Sequence, residues 1–366
     1  MNPASIPFVT VVVPTYNDGA HLRQCLDSLI QSDYPAGHFE VLVVDGGSDD
    51  GSQSIVLQLA EEAGFIRMLG NPRRVAAAGV NIGIESAAGD VIIILSAHSY
   101  VASDFIRQSV HYLSHTEASC VGGPIQSISE SFVGKTIALA MSSPFGVGNA
   151  LFRYSRREQY VDTVAFGAYR RKVFHKIGSF DETLVYNEDD EFNSRLRERG
   201  GKIFLTPAIK SFYYTRSSLR QLWQQYFHYG LGKVRVIQRH PYVAMTRHFV
   251  PFFFVATLLV SGLLGLLDPI WWKLSLWVLG SYLAASLIFS LSISARNGWR
   301  HLPVLPVVFA CLHFAYGLGF LAGLLKLAWE VLHRPPRQHI ATDAHRGTGI
   351  DSIAGTESVE EMAVDS

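Results

Sequence analysis

Four consecutive acidic side chains, at residues 188–191 (EDDE), form the cluster with the clearest capacity for chemistry. They follow Asn187 and precede a stretch with helical spacing through Phe192 and Leu196, so they are predicted to occupy the first turn of a helix. Acidic residues stabilise a helix N-terminus, and that alone would explain their presence. Adjacent carboxylates also repel one another, which raises some of their pKa values, as a general base or a metal ligand requires.

Three polar loops are the next candidates, because each follows a β-branched run that predicts a buried strand. The loops are residues 15–17 (TYN), 45–52 (DGGSDDGS) and 96–98 (SAH), after runs at 8–14, 39–44 and 90–95. In a parallel sheet such loops meet at the carboxyl ends of the strands, where ligands bind. Asp45 could accept hydrogen bonds from a base or a ribose there, or it could cap the following helix together with Ser48.

The elements that position these groups alternate between strand and helix up to about residue 240. Asp18 is predicted to cap a helix through Leu22, Cys25 and Leu29. Repeated βα units of this kind predict an α/β fold, with a mostly parallel sheet covered by helices. The first strand is not followed by GxGxxG, and the sequence contains no GxxxxGK[ST]. A hydride-transfer enzyme and a P-loop NTPase are therefore disfavoured.

Composition restricts the class of protein further. Of the 366 residues, 48% are hydrophobic and only 17% are charged, and 31 Lys+Arg balance 31 Asp+Glu. Such a chain is too apolar for general disorder and lacks a chain-wide basic surface for nucleic acid. Its three cysteines lie far apart, which favours a reducing compartment over a disulfide framework.

The apolar excess is concentrated in three runs, at residues 249–267, 274–293 and 302–332. Each is long enough to cross a membrane, although the third begins near two prolines and re-entrant or interfacial placement is an alternative for it. The N-terminal segment has no cleavable signal, so the first half is expected in the cytosol. Basic residues between the second and third runs agree with that orientation. Arg334 and Arg337 after the third run conflict with a C-terminus outside, which leaves the topology there open.

Residues 218–238 predict an amphipathic helix just before the apolar runs, with aromatic and basic side chains such as Trp223, Arg220 and Lys233. This composition suits an anionic leaflet and its phosphate headgroups, so membrane lipids are an expected partner. The predicted division is an α/β domain (1–215), a juxtamembrane helix region (216–247), a membrane region of about three helices (248–333) and a disordered tail (334–366).

Eight blocks of residues, in order along the chain, carry a resemblance to a known family. They are VVVPTYN (11–17), VVDGGSDDGS (43–52), AGVNIGI (78–84), VGGP (121–124), SSPFGVGNALFR (142–153), VDTVAFGAYRRKVF (161–174), FDETLVYNEDDEFNSRLRERGGKI (180–203) and QYFHYGLGKVRV (225–236). Through them the chain resembles the family 2 glycosyltransferases of GT-A fold. It is most similar to the membrane-anchored bacterial enzymes of exopolysaccharide assembly, of the succinoglycan-biosynthesis glucosyltransferase type.

The resemblance implies a nucleotide pocket at the first two polar loops. Pro14, Thr15 and Asn17 would line this pocket, and Asp45 would contact the base of a nucleotide sugar. Ser96, after the third strand, would lie in the same pocket.

The resemblance also implies an acceptor side. Asp189, paired with Glu188, would be the general base that deprotonates the acceptor hydroxyl in an inverting, single-displacement reaction. Gln225, His228 and Tyr229 occupy the place of the family's QxxRW segment, which contacts the acceptor or the leaving diphosphate. Here the segment reads QxxHY.

One departure affects the metal site that the family implies. The DxD-type motif supplies a carboxylate and a metal ligand; in this subgroup it resembles Asp-Ala-His, whereas here it reads Ser96-Ala97-His98. His98 is still a competent ligand for a divalent ion such as Mn²⁺, but Ser96 cannot replace the charge of a carboxylate. The cofactor that the resemblance implies is Mn²⁺ or Mg²⁺. We expect a weakly held divalent metal. The alternatives are stabilisation of the leaving group by Lys and Arg side chains, or impaired catalysis.

The implied function is transfer of a sugar from a nucleotide sugar, expected to be a UDP-sugar, to a saccharide carried on a polyprenyl lipid. The protein would be multi-pass in a bacterial-type inner membrane, with its catalytic domain in the cytosol and no nucleic-acid partner. Two alternatives stay open. One is a processive polysaccharide synthase, which normally has spans on both sides of the GT-A domain. The other is a non-catalytic scaffold in a glycan-assembly complex.

Overall fold

The computed structural model describes residues 6–333, and the tail predicted for residues 334–366 lies outside them. The described strands are β1 (Val9–Thr15), β2 (Phe39–Asp45), β3 (Ile66–Gly70), β4 (Val91–Ile94), β5 (Ser99–Val101), β6 (Cys120–Gly122), β7 (Ile125–Ile128), β8 (Gln159–Val161), β9 (Ala168–Arg170), β10 (Ile203–Leu205) and β11 (Ser211–Tyr214). The described α-helices are α1 (Gly19–Ile30), α2 (Ser52–Glu62), α3 (Ala76–Ser86), α4 (Phe105–His115), α5 (Phe132–Met141), α6 (Pro144–Val147), α7 (Lys172–Ile177), α8 (Glu188–Glu198), α9 (Leu219–Arg239), α10 (Thr246–Leu264), α11 (Ile270–Asn297) and α12 (Leu305–Leu332).

Eight of these strands form a sheet in the order β3-β2-β1-β4-β9-β6-β10-β8. The first four in that order are parallel to one another, while β9 is antiparallel to both of its neighbours. β1 (VTVVVPT) and β2 (FEVLVVD) are buried along almost their whole length, because helices cover both faces of the sheet. The predicted α/β fold with a mostly parallel sheet is confirmed.

Helix α1 buries the side chains whose helical spacing the sequence predicts: Leu22, Cys25, Leu26 and Leu29. Asp18, however, makes no side-chain capping bond to α1, so that prediction is wrong. Its carboxylate turns back towards the end of β1, where the Thr15 hydroxyl and the Tyr16 N–H donate to it, each at 3.2 Å. The carboxylate thereby points towards the loops at the carboxyl ends of the strands.

A second sheet, in the order β5-β11-β7, joins these loops to the helices that follow. Tyr214, at the end of β11, donates its backbone N–H to the carbonyl oxygen of His98 at 3.0 Å. The chain then turns into α9, where the Ser218 hydroxyl caps the helix by accepting the backbone N–H of Gln221. The predicted juxtamembrane helix therefore begins beside the 96–98 loop.

Among the described residues, α10, α11 and α12 are long and apolar enough to cross a membrane, and they coincide with the three predicted apolar runs. They differ in how much protein covers them. Only 17% and 11% of the most apolar windows of α10 and α11 are buried, against 50% for α12. α12 packs against α9 along most of the length of both helices.

Candidate active site

Two cavities adjoin beyond the carboxyl ends of the parallel strands. The smaller cavity, of about 460 Å³, lies against the ends of β1 and β4. The larger cavity, of about 1190 Å³, lies between the α/β domain and the helices α9, α10 and α12. His98, Glu188 and Asp189 line both cavities. A group bound in one cavity would therefore meet a group bound in the other at these three side chains.

Three of the residues predicted to bind the nucleotide line the smaller cavity: Pro14, Thr15 and Ser96. Asn17 lies in the neighbouring loop with a backbone φ of 56°, a left-handed conformation that asparagine tolerates better than most residues. Its side-chain oxygen accepts the Asp49 N–H at 3.0 Å, and its own N–H donates to the Ser48 hydroxyl at 2.9 Å. Asn17 thus joins the end of β1 to the loop after β2.

Asp45 is buried at the end of β2, and its carboxylate organises the loop that follows. It accepts hydrogen bonds from the Gly47 N–H at 2.9 Å, the Ser48 hydroxyl at 2.5 Å and the Gln53 side-chain amide at 2.7 Å. None of these bonds comes from a backbone N–H of α2, whose N-cap is Gly51, so the capping alternative raised from the sequence is wrong. The bonds fix the shape of the loop beside the smaller cavity, and contact between Asp45 and a base stays a prediction.

His98 projects from the loop after β4 and contacts Asp18. Its Nε2 lies 2.8 Å from Oδ1 of Asp18. Burial raises the pKa of Asp18, but the contacts with His98, Tyr16 and Thr15 lower it by more, so the pKa lies below its ordinary value. The Ser96 hydroxyl accepts a hydrogen bond from the backbone N–H of His98 at 3.3 Å and thereby helps to shape this loop.

The role of Asp18 as a partner of His98 is not predicted from the sequence. Its only local signal is its position directly after the PTYN block. No group of three or more His, Cys, Asp or Glu side chains gathers into a metal site anywhere in residues 6–333. A divalent ion at His98 would therefore need further ligands from a bound diphosphate or from water.

Glu188 and Asp189 open onto the cavities from the first turn of α8. Burial raises the pKa of both carboxyl groups, and repulsion adds to it: Asp189 acts on Glu188, and Asp190 acts on Asp189. The backbone N–H of Asp190 donates to Oδ1 of Asp189 at 2.8 Å and fixes the orientation of that carboxylate. Repulsion between neighbouring acids thus acts as the sequence argument predicts, although burial is the larger cause.

The other two acids of the cluster are tied into the packing of the protein. Asp190 pairs with Lys233 of α9, whose side chain is only 4% exposed. Although Asp190 is buried, its interactions with Lys233 and neighbouring cations lower its pKa. Glu191 is fully buried against Arg195, with a nitrogen–oxygen distance of 2.8 Å. The expectation that Lys233 faces lipid headgroups is therefore wrong, because the side chain points into the protein and holds α9 against α8.

The predicted acceptor residues Gln225, His228 and Tyr229 all line the larger cavity. The Gln225 amide donates to the Tyr229 hydroxyl at 2.9 Å. His228 stacks on Tyr186, just before α8, with ring centroids 5.4 Å apart. The QxxHY segment and the acidic cluster are thus brought to the same cavity.

The larger cavity also contains polar groups that have no hydrogen-bond partner within residues 6–333. They are Nη1 of Arg153, Nδ2 of Asn187 and the hydroxyl of Tyr316, and all three atoms are buried. Sequence reasoning did not single out Arg153, although it ends the SSPFGVGNALFR block. Because an unpaired buried donor is costly, these groups indicate a ligand with oxygen acceptors. The cavity continues to Phe254 and Leu312 on the apolar helices.

Residues 10–178 match the family model described as glycosyl transferase family 2, and this stretch contains the first three strand-end loops. The chain therefore contains a glycosyl transferase family 2 domain. The sequence-based identification of the family, and of the protein as an enzyme, is confirmed.

Two relatives of this glycosyltransferase align over nearly their whole length. A dolichyl N-acetyl-alpha-D-glucosaminyl phosphate 3-beta-D-2,3-diacetamido-2,3-dideoxy-beta-D-glucuronosyltransferase of Methanococcus voltae is 29% identical over 87% of this chain and 98% of its own. The succinoglycan biosynthesis protein ExoA of Rhizobium meliloti is 28% identical over 88% and 96% respectively. The similarity therefore extends beyond the family 2 domain into the C-terminal helices.

Among solved structures, the mannosyltransferase PcManGT of Pyrobaculum calidifontis, in complex with GDP-Man and Mn²⁺, superimposes with a TM-score of 0.55. The sequences are 19% identical, and the match covers 87% of this chain and 88% of the other. At this identity the likeness concerns the fold. It confirms the predicted GT-A architecture.

Proposed function

We propose that this glycosyltransferase moves a sugar from a nucleotide sugar to a lipid-linked saccharide, with inversion at the anomeric carbon. The observation that carries the proposal is the position of Glu188 and Asp189 where the two cavities meet. The smaller cavity would hold the donor, because it lies at the carboxyl ends of parallel strands. The larger cavity would hold the acceptor. A UDP-sugar is the expected donor.

In the proposed reaction, Asp189 acts as the general base. The proton of the acceptor hydroxyl passes to the Asp189 carboxylate while the acceptor oxygen bonds to the anomeric carbon. The bond from that carbon to the nucleoside diphosphate breaks, and the leaving group takes the electron pair. The raised pKa of Asp189 suits this role, because a base with a pKa nearer the working pH accepts a proton more readily.

A divalent metal is expected beside the leaving diphosphate, where it would neutralise the developing charge. His98 can supply an imidazole nitrogen to it from the edge shared by both cavities. Ser96 lines the same cavity without supplying a charge. The Pyrobaculum mannosyltransferase is in complex with GDP-Man and Mn²⁺, which agrees with metal use in a protein of this fold.

The shape of the larger cavity supports a lipid-linked acceptor. Arg153 contributes an unpartnered cationic donor, suited to a phosphate, while Phe254 and Leu312 continue the wall along the apolar helices. The names of both relatives agree with this, since one acts on a dolichyl-linked sugar phosphate and the other serves succinoglycan biosynthesis. The three apolar helices support placement in a membrane, and the basic residues between the second and third apolar runs support an α/β domain on the cytosolic side.

The deciding experiment compares Asp189→Asn with the native protein in membranes supplied with UDP-sugars and polyprenyl diphosphate-linked saccharides. We expect transfer to fall by about 10²- to 10⁴-fold, while nucleotide binding is retained. Glu61→Gln, an exposed change on α2, is the control and should leave both unchanged. Normal transfer by Asp189→Asn would exclude it as the base.

The same assay separates the alternatives. A single added sugar supports the proposal, and a long product would indicate a processive synthase. If the native protein binds nucleotide sugar but releases no UDP with any lipid-linked acceptor, the scaffold alternative is favoured.

A further inference from the structure

Helix α12 is covered on one side by the α/β domain and by α9, with buried residues from Leu305 to Gly323. At its beginning, Leu305, Val308 and Phe309 are buried in one cluster with Ile137 and Met141 of α5. The beginning of α12 therefore rests on the α/β domain. If α12 crossed the bilayer, it would have to separate from the α/β domain after this first part of the helix.

Further along, α12 does not leave the protein but runs parallel to α9. A side chain on Gly319 would overlap the carbonyl oxygen of Phe227, and one on Gly230 would overlap the carbonyl oxygen of Tyr316. Near the end of α12, Glu330 lies 3.7 Å from Arg235. The two helices are thus in backbone contact, and their side chains remain close over about 20 residues, roughly 30 Å.

Helix α9 is not expected in hydrocarbon, because polar side chains outside the lining of the larger cavity are exposed near both of its ends: Arg220, Arg235, Gln238 and Arg239. It is also fixed to the α/β domain by the buried pair of Lys233 and Asp190. A charged side chain costs about 2.5–3.5 kcal/mol or more at the centre of a bilayer. Since α12 lies alongside α9, both helices lie at the same depth relative to the membrane.

The hairpin of α10 and α11 behaves differently, and both of its ends return to the α/β domain. At the start of α10, Arg247 donates to the Asn149 side chain at 3.2 Å and pairs with Asp162. After α11, the His301 ring lies 2.8 Å from the Thr136 hydroxyl of α5. Between these points most side chains of the two helices are exposed and apolar.

We propose that α12 lies along the membrane surface rather than across it, and that only the α10–α11 hairpin enters the bilayer. The exposed apolar side chains of α12 (Val307, Leu325, Trp329 and Leu332) would then contact the lipid surface. The end of α12 is placed on the same side of the membrane as the α/β domain. This removes the conflict with Arg334 and Arg337, which follow α12 in the sequence and favour the cytosolic side.

The test is the sidedness of two introduced cysteines in the full-length protein, Glu61→Cys on α2 and His333→Cys after α12. Both positions are exposed, whereas the native cysteines are buried. A membrane-impermeant maleimide is applied to spheroplasts and to inverted vesicles. We expect both cysteines to react in the same preparation, and reaction in opposite preparations would overturn the proposal. If both cysteines react in spheroplasts and neither reacts in inverted vesicles, the placement of α12 is supported, but the α/β domain does not lie in the cytosol.

A second inference rests on a different observation, the contact between Asp18 and His98, and it assumes the proposed nucleotide-diphosphate donor. Oδ1 of Asp18 lies 2.8 Å from Nε2 of His98, while the Thr15 and Tyr16 hydrogen bonds go to Oδ2. Two ligands of one ion at about 2.1 Å in octahedral geometry lie about 3 Å apart. Asp18 and His98 also line the same cavity as Ser96.

We infer that Asp18 supplies the carboxylate missing at Ser96, so that Asp18 and His98 together hold the divalent cation. Two protein ligands are too few for tight binding by themselves, and the remaining positions would be filled by diphosphate oxygens and water. Cation binding should therefore depend on the nucleotide. The carboxylate comes from the loop after β1 rather than from the loop after β4.

Mn²⁺ binding is measured by electron paramagnetic resonance of free Mn²⁺, with and without UDP. We expect UDP to tighten Mn²⁺ binding in the native protein, and Asp18→Asn or His98→Gln to weaken it by at least about tenfold. Binding of UDP without metal should persist in both variants, and Glu61→Gln should match the native protein. Native Mn²⁺ affinity in Asp18→Asn would overturn the inference. If neither UDP nor GDP binds the native protein, the proposed nucleotide-sugar donor is wrong. The inference that Asp18 and His98 hold a cation beside its diphosphate is then wrong as well.

Discussion

The two cavities are built in different ways, although they meet at the same carboxylates. Much of the wall of the smaller cavity comes from loops and strand ends of one sheet, close to β1 and β4. The walls of the larger cavity come from segments far apart in the chain, namely α6, α8, α9, α10 and α12. The proposed donor side thus belongs to the α/β domain. The proposed acceptor side depends on how the apolar helices pack against that domain.

The largest expected effect comes from breaking the ion pair that holds α9 to α8. Lys233→Met leaves the buried Asp190 without its main partner and should destabilise the protein by about 3–5 kcal/mol. Arg235→Met on the same helix is the control, because Arg235 is half exposed and its contact with Glu330 is long. That change should cost at most about 1 kcal/mol. Thermal unfolding in detergent measures both.

UDP binding to Lys233→Met sharpens the comparison between the cavities. If the donor side belongs to the α/β domain, UDP should bind this variant with native affinity at temperatures where it remains folded. Transfer to the lipid-linked acceptor should be lost under the same conditions. Equal loss of UDP binding would show that the two cavities do not form independently.

A smaller effect is expected at the contact between α9 and α12. In Gly319→Ala the new methyl group overlaps the Phe227 carbonyl and must push the helices apart, at about 1–3 kcal/mol. Gly280→Ala on α11 is the control, since no atom lies within 4 Å of the added group and alanine favours a helix. Thermal unfolding should therefore separate the two variants. A neutral Gly319→Ala would contradict the close packing on which the placement of α12 depends.

The difference between the cavities also explains what the sequence could predict. β1, β2 and the loops after them follow from β-branched runs and their polar ends, which are local patterns. The pairing of Lys233 with Asp190 was missed because it joins residues 43 positions apart through helix packing. Asp18 was misassigned as a cap, since a side chain before a helix can turn towards either the helix or the preceding strand.

The pH dependence of transfer should differ from that of donor binding. Asp189 faces Glu188 and Asp190 on its own helix and Lys233 from α9, and its pKa is raised by burial and then by Asp190. As the pH falls through this raised pKa, the base is protonated and transfer is lost, above the range of an ordinary Asp. UDP binding, measured in parallel, should stay constant over that interval. A transfer profile that falls only within the pH range of an ordinary Asp would contradict a base with a raised pKa.

The smallest expected effect is a gain in stability when the base is removed. A raised pKa means that the folded state holds the Asp189 proton more tightly than the unfolded state does. Stability from this group is therefore fully present below the ordinary pKa and is lost as the pH rises through the raised one. Asp189→Asn carries no charge there, while its side-chain oxygen can still accept the Asp190 N–H.

Asp189→Asn should consequently unfold at a higher temperature than the native protein at pH 8, and the difference should shrink as the pH falls towards the range of an ordinary Asp. Glu61→Gln on the exposed face of α2 should show no such trend. Asp189→Asn should bind UDP with native affinity. The ionised Asp189 is disfavoured by its burial and by Asp190 on the same helix, and not by the loops proposed to bind the nucleotide. A stability difference that does not vary with pH would indicate that packing, not charge, separates the variants.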